Sequence, residues 1–450
     1  MTPRKLILAV VDGLPAETLE AALDAGDVPT LARLAEHGSY RRALSTFPSL
    51  TPVCLSSIAT GGHPDVHGIP HLAWYHRGER RVVEYGSSFG AMRAAGLGRA
   101  LRDTIVDMNE RHLSRGAVTV FEALEDAGLV PAAVNFTAYR GRTAHRSSLP
   151  LVSRTVLGPR RFFFYNLFES DLTGAPLSWR SRRAGTIDAY ATAVGRWLVT
   201  RDGFDFLLFY LSDLDYVSHL AGPGSTREAL RRCDAAIGEL VAAAGGLDAM
   251  LERYALVLVS DHGQTAVREV AALGERFAGL AGALCLGSNR AAQVYRLHGC
   301  PEDARALARR LDGHPAVGVA LFREDGEAVA RRQGEELRFA PHGDGWRQVG
   351  DPGLLDQPGA RERAWAALAN PNAGDVVVSA AVGWEFADLG GGHHRGGGSH
   401  GSLEAEDTEV PLLSVGVAGA VRSIVDVASL VLAHFGVAAP SYARPLDRAA

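Results

Sequence analysis

Three stretches of this chain share a pattern that few folds accommodate. "KLILAVVDG" ends its apolar run at Asp12, "FDFLLFYLSDLD" at Asp213 and Asp215, and "YALVLVSDHG" at Asp261. Each run is continuous rather than alternating, which suits a strand buried on both faces, as in a parallel sheet covered by helices. Helical patterns lie between them: "PAETLEAALDAG", "PTLARLAEHG", "GAVTVFEALEDAG" and "TREALRRCDAAIGELVAAAGG". Strand alternating with helix predicts an α/β layer fold with a mostly parallel central sheet. Such sheets bind ligands outside the carboxyl ends of their strands. All three acids fall at that edge. One acid there is usually a helix cap; three, two of them with a histidine close by, point to a metal site.

The histidines strengthen that reading. In "DLDYVSH" Asp215 and His219 are four residues apart, on one face of a helical turn, a spacing that favours Asp215 over Asp213 as ligand. Asp261 and His262 are adjacent and converge only on a strand-end bend, which Gly263 permits. His400 sits in the glycine-rich "GGGHHRGGGSHGSL", a loop that gains order when a residue in it is pinned by a ligand; His393 and His394 read as substrate contacts or, better, as mobile positions of that loop. With Asp12, the chain offers three carboxylates and three imidazoles. This set suits two zinc ions, with other divalent metals such as manganese also compatible.

A hydroxyl completes the constellation. In "FPSLTPVCLSSIATGGHPDVHGI", residues 47–69, Thr51 directly precedes Pro52, which places it at the N-cap of a short apolar helix. There the hydroxyl either caps the helix or serves as a nucleophile at the positive end of the helix dipole. A threonine hydroxyl is too weakly acidic to attack unaided, and one of two metals about 4 Å apart would activate it for displacement at phosphorus.

The rest of the sequence narrows the class. At 450 residues, 47% hydrophobic and 22% charged, the chain has ordinary globular usage. A net charge of −5 gives no reason to expect binding to a nucleic-acid polymer or an anionic membrane. Four scattered cysteines (Cys54, Cys233, Cys285 and Cys300) form no CxxC pair. No stretch approaches the roughly 18 apolar residues of a membrane span. A cytoplasmic protein is expected.

These motifs, in this order, resemble the alkaline phosphatase superfamily, and most closely its nucleotide pyrophosphatase/phosphodiesterase branch. Thr51, Thr60-Gly61, Pro64 and His67-Gly68-Ile69 resemble its nucleophile motif; "DYVSH", "SDHGQT" and "SHG" resemble its metal motifs. The resemblance implies an alkaline-phosphatase-like three-layer α/β sandwich with helices on both faces of the sheet. It implies that Asp215, His219 and His400 hold one zinc, and Asp12, Asp261, His262 and Thr51 the other. The implied activity is hydrolysis of a small-molecule phosphodiester or nucleotide pyrophosphate through a phospho-threonine. The alternatives are a monoesterase of the same superfamily or a non-catalytic binding protein with this fold.

Two departures bear on substrate. Where the family has an asparagine that contacts the phosphoryl oxygen, "HGIPHLAWYH" places Leu72. "FTAYRGRTAHR" carries Arg140 and Arg142, in a region where some monoesterase relatives have a basic pair; such a fork suits a phosphate dianion, and a solvated loop is the bland reading. One catalytic domain over 1–450 is expected, with a core of 1–295 and 373–436 and a small α/β subdomain at 296–372. Residues 150–182 are rich in phenylalanine. They read as a buried strand and loop, or as an aromatic wall over the site.

Overall fold

The computed structural model describes residues 4–147, 155–165, 167–173 and 186–443. Its larger sheet has eight strands, in the order Ser39–Leu44, Glu409–Val415, Tyr254–Val259, Lys5–Val11, Phe206–Leu211, Pro131–Val134, Arg161–Phe164 and Phe168–Glu169. The five strands from Tyr254–Val259 to Arg161–Phe164 are parallel, and each pairing outside them is antiparallel. The three runs that end in aspartate are neighbours at its centre.

Continuous burial of these runs has a direct cause. Leu6, Leu8 and Val10 face one apolar layer with Ile58, Phe121 and Leu430, while Ile7, Ala9 and Val11 face another with Leu19, Ile237 and Met250. A strand sandwiched between two helical layers has no wet face, so no polar residue alternates into it. Register then sets the site. Val10 pairs with Val259 and Val11 with Leu211. Two residues beyond the first pair, Asp12 and Asp261 emerge level with one another.

The second sheet is wholly antiparallel and has seven strands, in the order Ala283–Ser288, Ala291–Arg296, Val376–Ala380, Val317–Glu324, Glu327–Arg332, Glu335–His342 and Gly345–Gly350. Leu307 packs among one set of its side chains with Phe322 and Val376, and Ala364 among the other with Leu321 and Val377. This sheet reaches beyond the expected 296–372 at both ends. The strands flanking the expected boundaries, Ala291–Arg296 and Val376–Ala380, are hydrogen-bonded to each other, so both belong to the smaller unit.

The aromatic segment divides. Phe162 and Phe163 are buried in the edge of the larger sheet, and Phe164, Tyr165 and Leu167 line the main cavity. Residues 150–154, 166 and 174–182 of the expected wall lie outside the described residues.

Candidate metal centre and nucleophile

Asp12 and Asp261 leave adjacent strands, Asp215 lies in the first turn of the helix Asp213–Ala221, and all three are buried. Their carboxylates are held from behind. Tyr210 donates its hydroxyl to Asp12 Oδ2, Gln264 donates its amide to Asp215 Oδ1, and Gly13 N–H lies 3.2 Å from Asp261 Oδ1. Gly13 has φ +67°, and a Cβ there would come within 2.6 Å of Asp215 Oδ1, so the turn after the first strand admits only glycine. Gly263 is required for a different reason from the expected bend. A side chain there would run into the Glu406 carbonyl oxygen.

The three imidazoles share one arrangement. His219 Nδ1 donates to Gly398 O at 2.8 Å, His262 Nδ1 to Gly263 O at 3.0 Å, and His400 Nδ1 to Ser49 O at 2.7 Å. Each bond fixes the tautomer and leaves the Nε2 lone pair for a ligand. His262 Nε2 stands 3.3 Å from Asp12 Oδ1, 3.4 Å from Asp261 Oδ2 and 3.1 Å from Thr51 Oγ1. His219 Nε2 meets Asp215 Oδ2 at 3.2 Å, and His400 Nε2 faces Asp215 Oδ1 at 4.0 Å. Two compact groups result, Asp12–Asp261–His262 and Asp215–His262–His400, with ligand atoms within 4.8 Å of one another in each. His219 lies outside both trios and joins through Asp215.

The charges are out of balance without a cation. Burial, then the Asp215 carboxylate, pushes Asp12 up; burial, then Asp12, pushes Asp261 well up. Burial alone would pull His262 down, but Asp261 and Asp12 outweigh it and raise the imidazole to about 10. Burial, then His262, drives His400 well down. Asp12 Oδ1 and Asp261 Oδ2 are buried without a hydrogen-bond partner. Two orphaned carboxylate oxygens beside three oriented nitrogen lone pairs fit a divalent cation with mixed nitrogen and oxygen ligands.

Thr51 is one position further into its helix than expected. The helix Thr51–Thr60 has Leu50 as its extended N-cap, and no side chain caps it. Proline is tolerated throughout a first helical turn, so Pro52 fits equally well at the second position. The capping reading therefore fails: the hydroxyl points at His262.

Thr51, Asp12, Asp215, His219 and His400 form the floor of a cavity of about 640 Å³, and Leu72 lies on its wall. Arg140 and Arg142 do not line it. Arg140 reaches Glu122 at 3.2 Å and the carbonyls of Leu113 and Ser114, while Arg142 pairs with Glu122 at 2.7 Å and Asp126 at 2.9 Å. Their forks are filled by the preceding helix.

Two residues at the floor were not singled out by sequence reasoning as organised parts of it. Asn289, 5% exposed with φ +53°, turns the Ala283–Arg296 hairpin and brings its amide nitrogen within 3.1 Å of His400 Nε2. Nothing in "GSNRAAQ" marks it beyond a turn. His394 is not a mobile loop position: its Nδ1 lies 2.6 Å from buried Glu385, and its ring packs 4.0 Å from that of His219.

A central parallel sheet that delivers its polar groups in this way, between two helical layers, has an alkaline-phosphatase-like architecture. The chain belongs to the type I phosphodiesterase/nucleotide pyrophosphatase family, whose sequence model matches residues 6–403. Murine ectonucleotide pyrophosphatase/phosphodiesterase 5 aligns with a TM-score of 0.63 at 15% identity, over 99% of this chain and 98% of that one. An inactive form of it in complex with AMP aligns with 0.63 at 14%, over 99% and 97%. Phosphonoacetate hydrolase from Sinorhizobium meliloti 1021, in complex with phosphonoformate, aligns with 0.61 at 19%, over 96% of each chain. At these identities the likeness is one of fold. No curated protein matches the chain in sequence. Among the described residues, no helix is long and apolar enough to cross a membrane.

Proposed function

We propose that this chain is a two-metal phosphodiester hydrolase working by double displacement on Thr51. The observation that carries the reading is the pair of ligand groups sharing His262, with Thr51 Oγ1 3.1 Å from its Nε2. Asp12, Asp261, His262 and Thr51 would hold one zinc and Asp215, His219 and His400 the other; manganese suits the same donors less specifically. When bound, the two cations supply the positive charge that acidifies the Thr51 hydroxyl and then a water, and that offsets charge on the phosphoryl oxygens. Thr51 Oγ attacks phosphorus as the bond to the alcohol breaks, giving a phospho-threonine. Water then attacks the same phosphorus from the opposite side, the Thr51–phosphorus bond breaks, and the hydroxyl is regained. Asn289, at the floor with its amide N–H beside His400, is positioned to donate to a phosphoryl oxygen, a bond that the apolar side chain of Leu72 cannot make.

The family's name supports a diester or nucleotide pyrophosphate, and the relative's complex with AMP is consistent with it. A monoester preference loses its main support with Arg140 and Arg142 committed to Glu122 and Asp126. Free cysteines at all four positions suit a cytoplasmic setting. The test combines metal analysis with turnover of bis(nitrophenyl) phosphate and nitrophenyl phosphate. Close to two zinc per chain, faster diester hydrolysis and a phospho-threonine trapped by acid quench are expected. Full activity in metal-free protein would overturn the proposal.

A further inference from the structure

Above its polar floor the cavity changes character. Leu72, Met92, Leu101, Ile105 and Met108 make one apolar stretch of its wall, and Phe164, Leu167 and Leu220, with the rings of Tyr165 and Tyr216, make another; Ser87, Thr104 and Thr137 lie among them. Met108 and Phe164 are buried, yet Leu101 is 43% and Leu220 84% exposed at the mouth. Two large apolar side chains exposed on separate elements of one cavity give water an unfavourable surface, which an apolar ligand would relieve.

The first stretch of wall is built to hold its shape. Residues 103–112 form ten residues of π-helix, an arrangement often associated with functional sites, and Thr104, Ile105 and Met108 of that segment line the cavity. Arg81 grips Asp103 with two bonds of 2.6 and 2.7 Å, Asn109 donates to Thr137 O at 2.8 Å, and the Tyr139 hydroxyl bonds the Ile105 carbonyl. Leu72 packs against the same apolar core as Met108 and Ile105. The family's asparagine is thus replaced by a residue that continues the wall.

Charge selects in the same direction. Among the described residues, no lysine or arginine lines the cavity, and its only carboxylates are Asp12 and Asp215 of the floor. A second phosphate or a carboxylate would leave water there without a partner, at a cost that grows with its burial.

We infer that the natural substrate is a phosphodiester with an uncharged apolar arm, alkyl or aryl, lying along the wall of Leu72, Leu101, Ile105 and Met108. This rests on the hydrolase reading of the same site. The cavity of about 640 Å³ is of ligand-binding size and holds such an arm without a further anionic group.

The test is a series of methyl, butyl and octyl nitrophenyl phosphates with the zinc-loaded protein, alongside the nitrophenyl ester of thymidine monophosphate. Each buried methylene is worth about fourfold, so kcat/KM should rise about tenfold to sixtyfold from methyl to butyl. The nucleotide ester should fall below the butyl ester. In Leu101→Glu, an exposed position where folding is little affected, the butyl-to-methyl ratio should collapse several-fold. Calorimetry gives a second readout: butylphosphonate should bind more tightly than methylphosphonate, with a more negative heat-capacity change. A flat series, or a nucleotide ester hydrolysed fastest, would overturn the apolar arm and leave the hydrolase reading standing. Release from none of the esters would sink the hydrolase reading instead, and the calorimetric pair would then decide the arm alone.

Discussion

In the larger sheet five neighbouring strands run the same way, whereas in the smaller one every neighbour reverses. The difference decides where chemistry can gather. Parallel strands all finish on one edge, so residues far apart in sequence emerge side by side; antiparallel strands finish alternately on opposite edges. Asp12 and Asp261 come from strand ends of the first kind, and Asp215 follows another through a short turn. The smaller sheet instead carries ion-pair ladders, such as Arg305 with Glu324 and Glu336, and Arg338 with Glu324 and Glu327. Its contribution to the floor is a hairpin turn, Asn289.

The contrast predicts where substitutions act on turnover and where on stability. The largest effect belongs to Thr51→Ala, expected to lower kcat by at least about 10³-fold. No cap bond is lost, so its thermal midpoint should stay within about 2 °C of wild type. Thr51→Ser should keep measurable activity. If the alanine variant unfolds early instead, the hydroxyl was structural and the division between the sheets fails. Chelation comes next. Metal removal should abolish turnover and increase hydrogen exchange around residues 260–264 and 398–400, with little change over 317–342. Bound metal at a hundredfold excess over Kd should return about 2.7 kcal/mol.

Leu321→Ala probes the other side. The residue is fully buried in the smaller sheet, and its loss should cost about 2–5 kcal/mol in a denaturant titration. At 25 °C kcat/KM should remain within about twofold of wild type. A large fall in kcat from this substitution would show that the sheets are energetically coupled. Asn289→Ala tests the smaller sheet's contribution to the floor and should lower kcat/KM about 10-fold to 100-fold, with metal content retained. The smallest effect is that of Arg142→Ala, whose exposed ion pairs are worth about 1 kcal/mol or less. The monoester-to-diester ratio should not move, since the guanidinium is bound to Glu122 and Asp126.

What the sequence disclosed follows from the same contrast. Asp12, Asp215 and Asp261 were legible because double burial leaves an uninterrupted apolar run with an acid at its end. His219 was legible because helical spacing fixes it to Asp215. Pro52 fixed the start of the helix Thr51–Thr60 only to within one residue, since proline fits more than one place in the first turn. The destinations of Arg140 and Arg142 were hidden because an arginine fork accepts any nearby carboxylate, and the acids of the helix Val120–Asp126 reached it first. Asn289 was hidden because a turn asparagine looks alike whether it faces solvent or a reaction centre. The limits of the smaller sheet were obscured by pairing between strands that lie on either side of the inserted sequence.

The imidazole bonds to backbone carbonyls have a consequence for how this protein matures. His219 is oriented by a carbonyl 179 residues further along the chain, and His400 by one 351 residues behind it. Such distant pairings form late, because closing long loops costs entropy before any bond repays it. A chain emerging from the ribosome therefore carries Asp12, Thr51, Asp215 and His262 for some time before the segment that sets the remaining geometry exists. Until residues 398–400 dock, the group Asp215–His262–His400 is incomplete and His219 lacks the carbonyl that orients it. Completion of that second group is thus a readout of nearly finished folding.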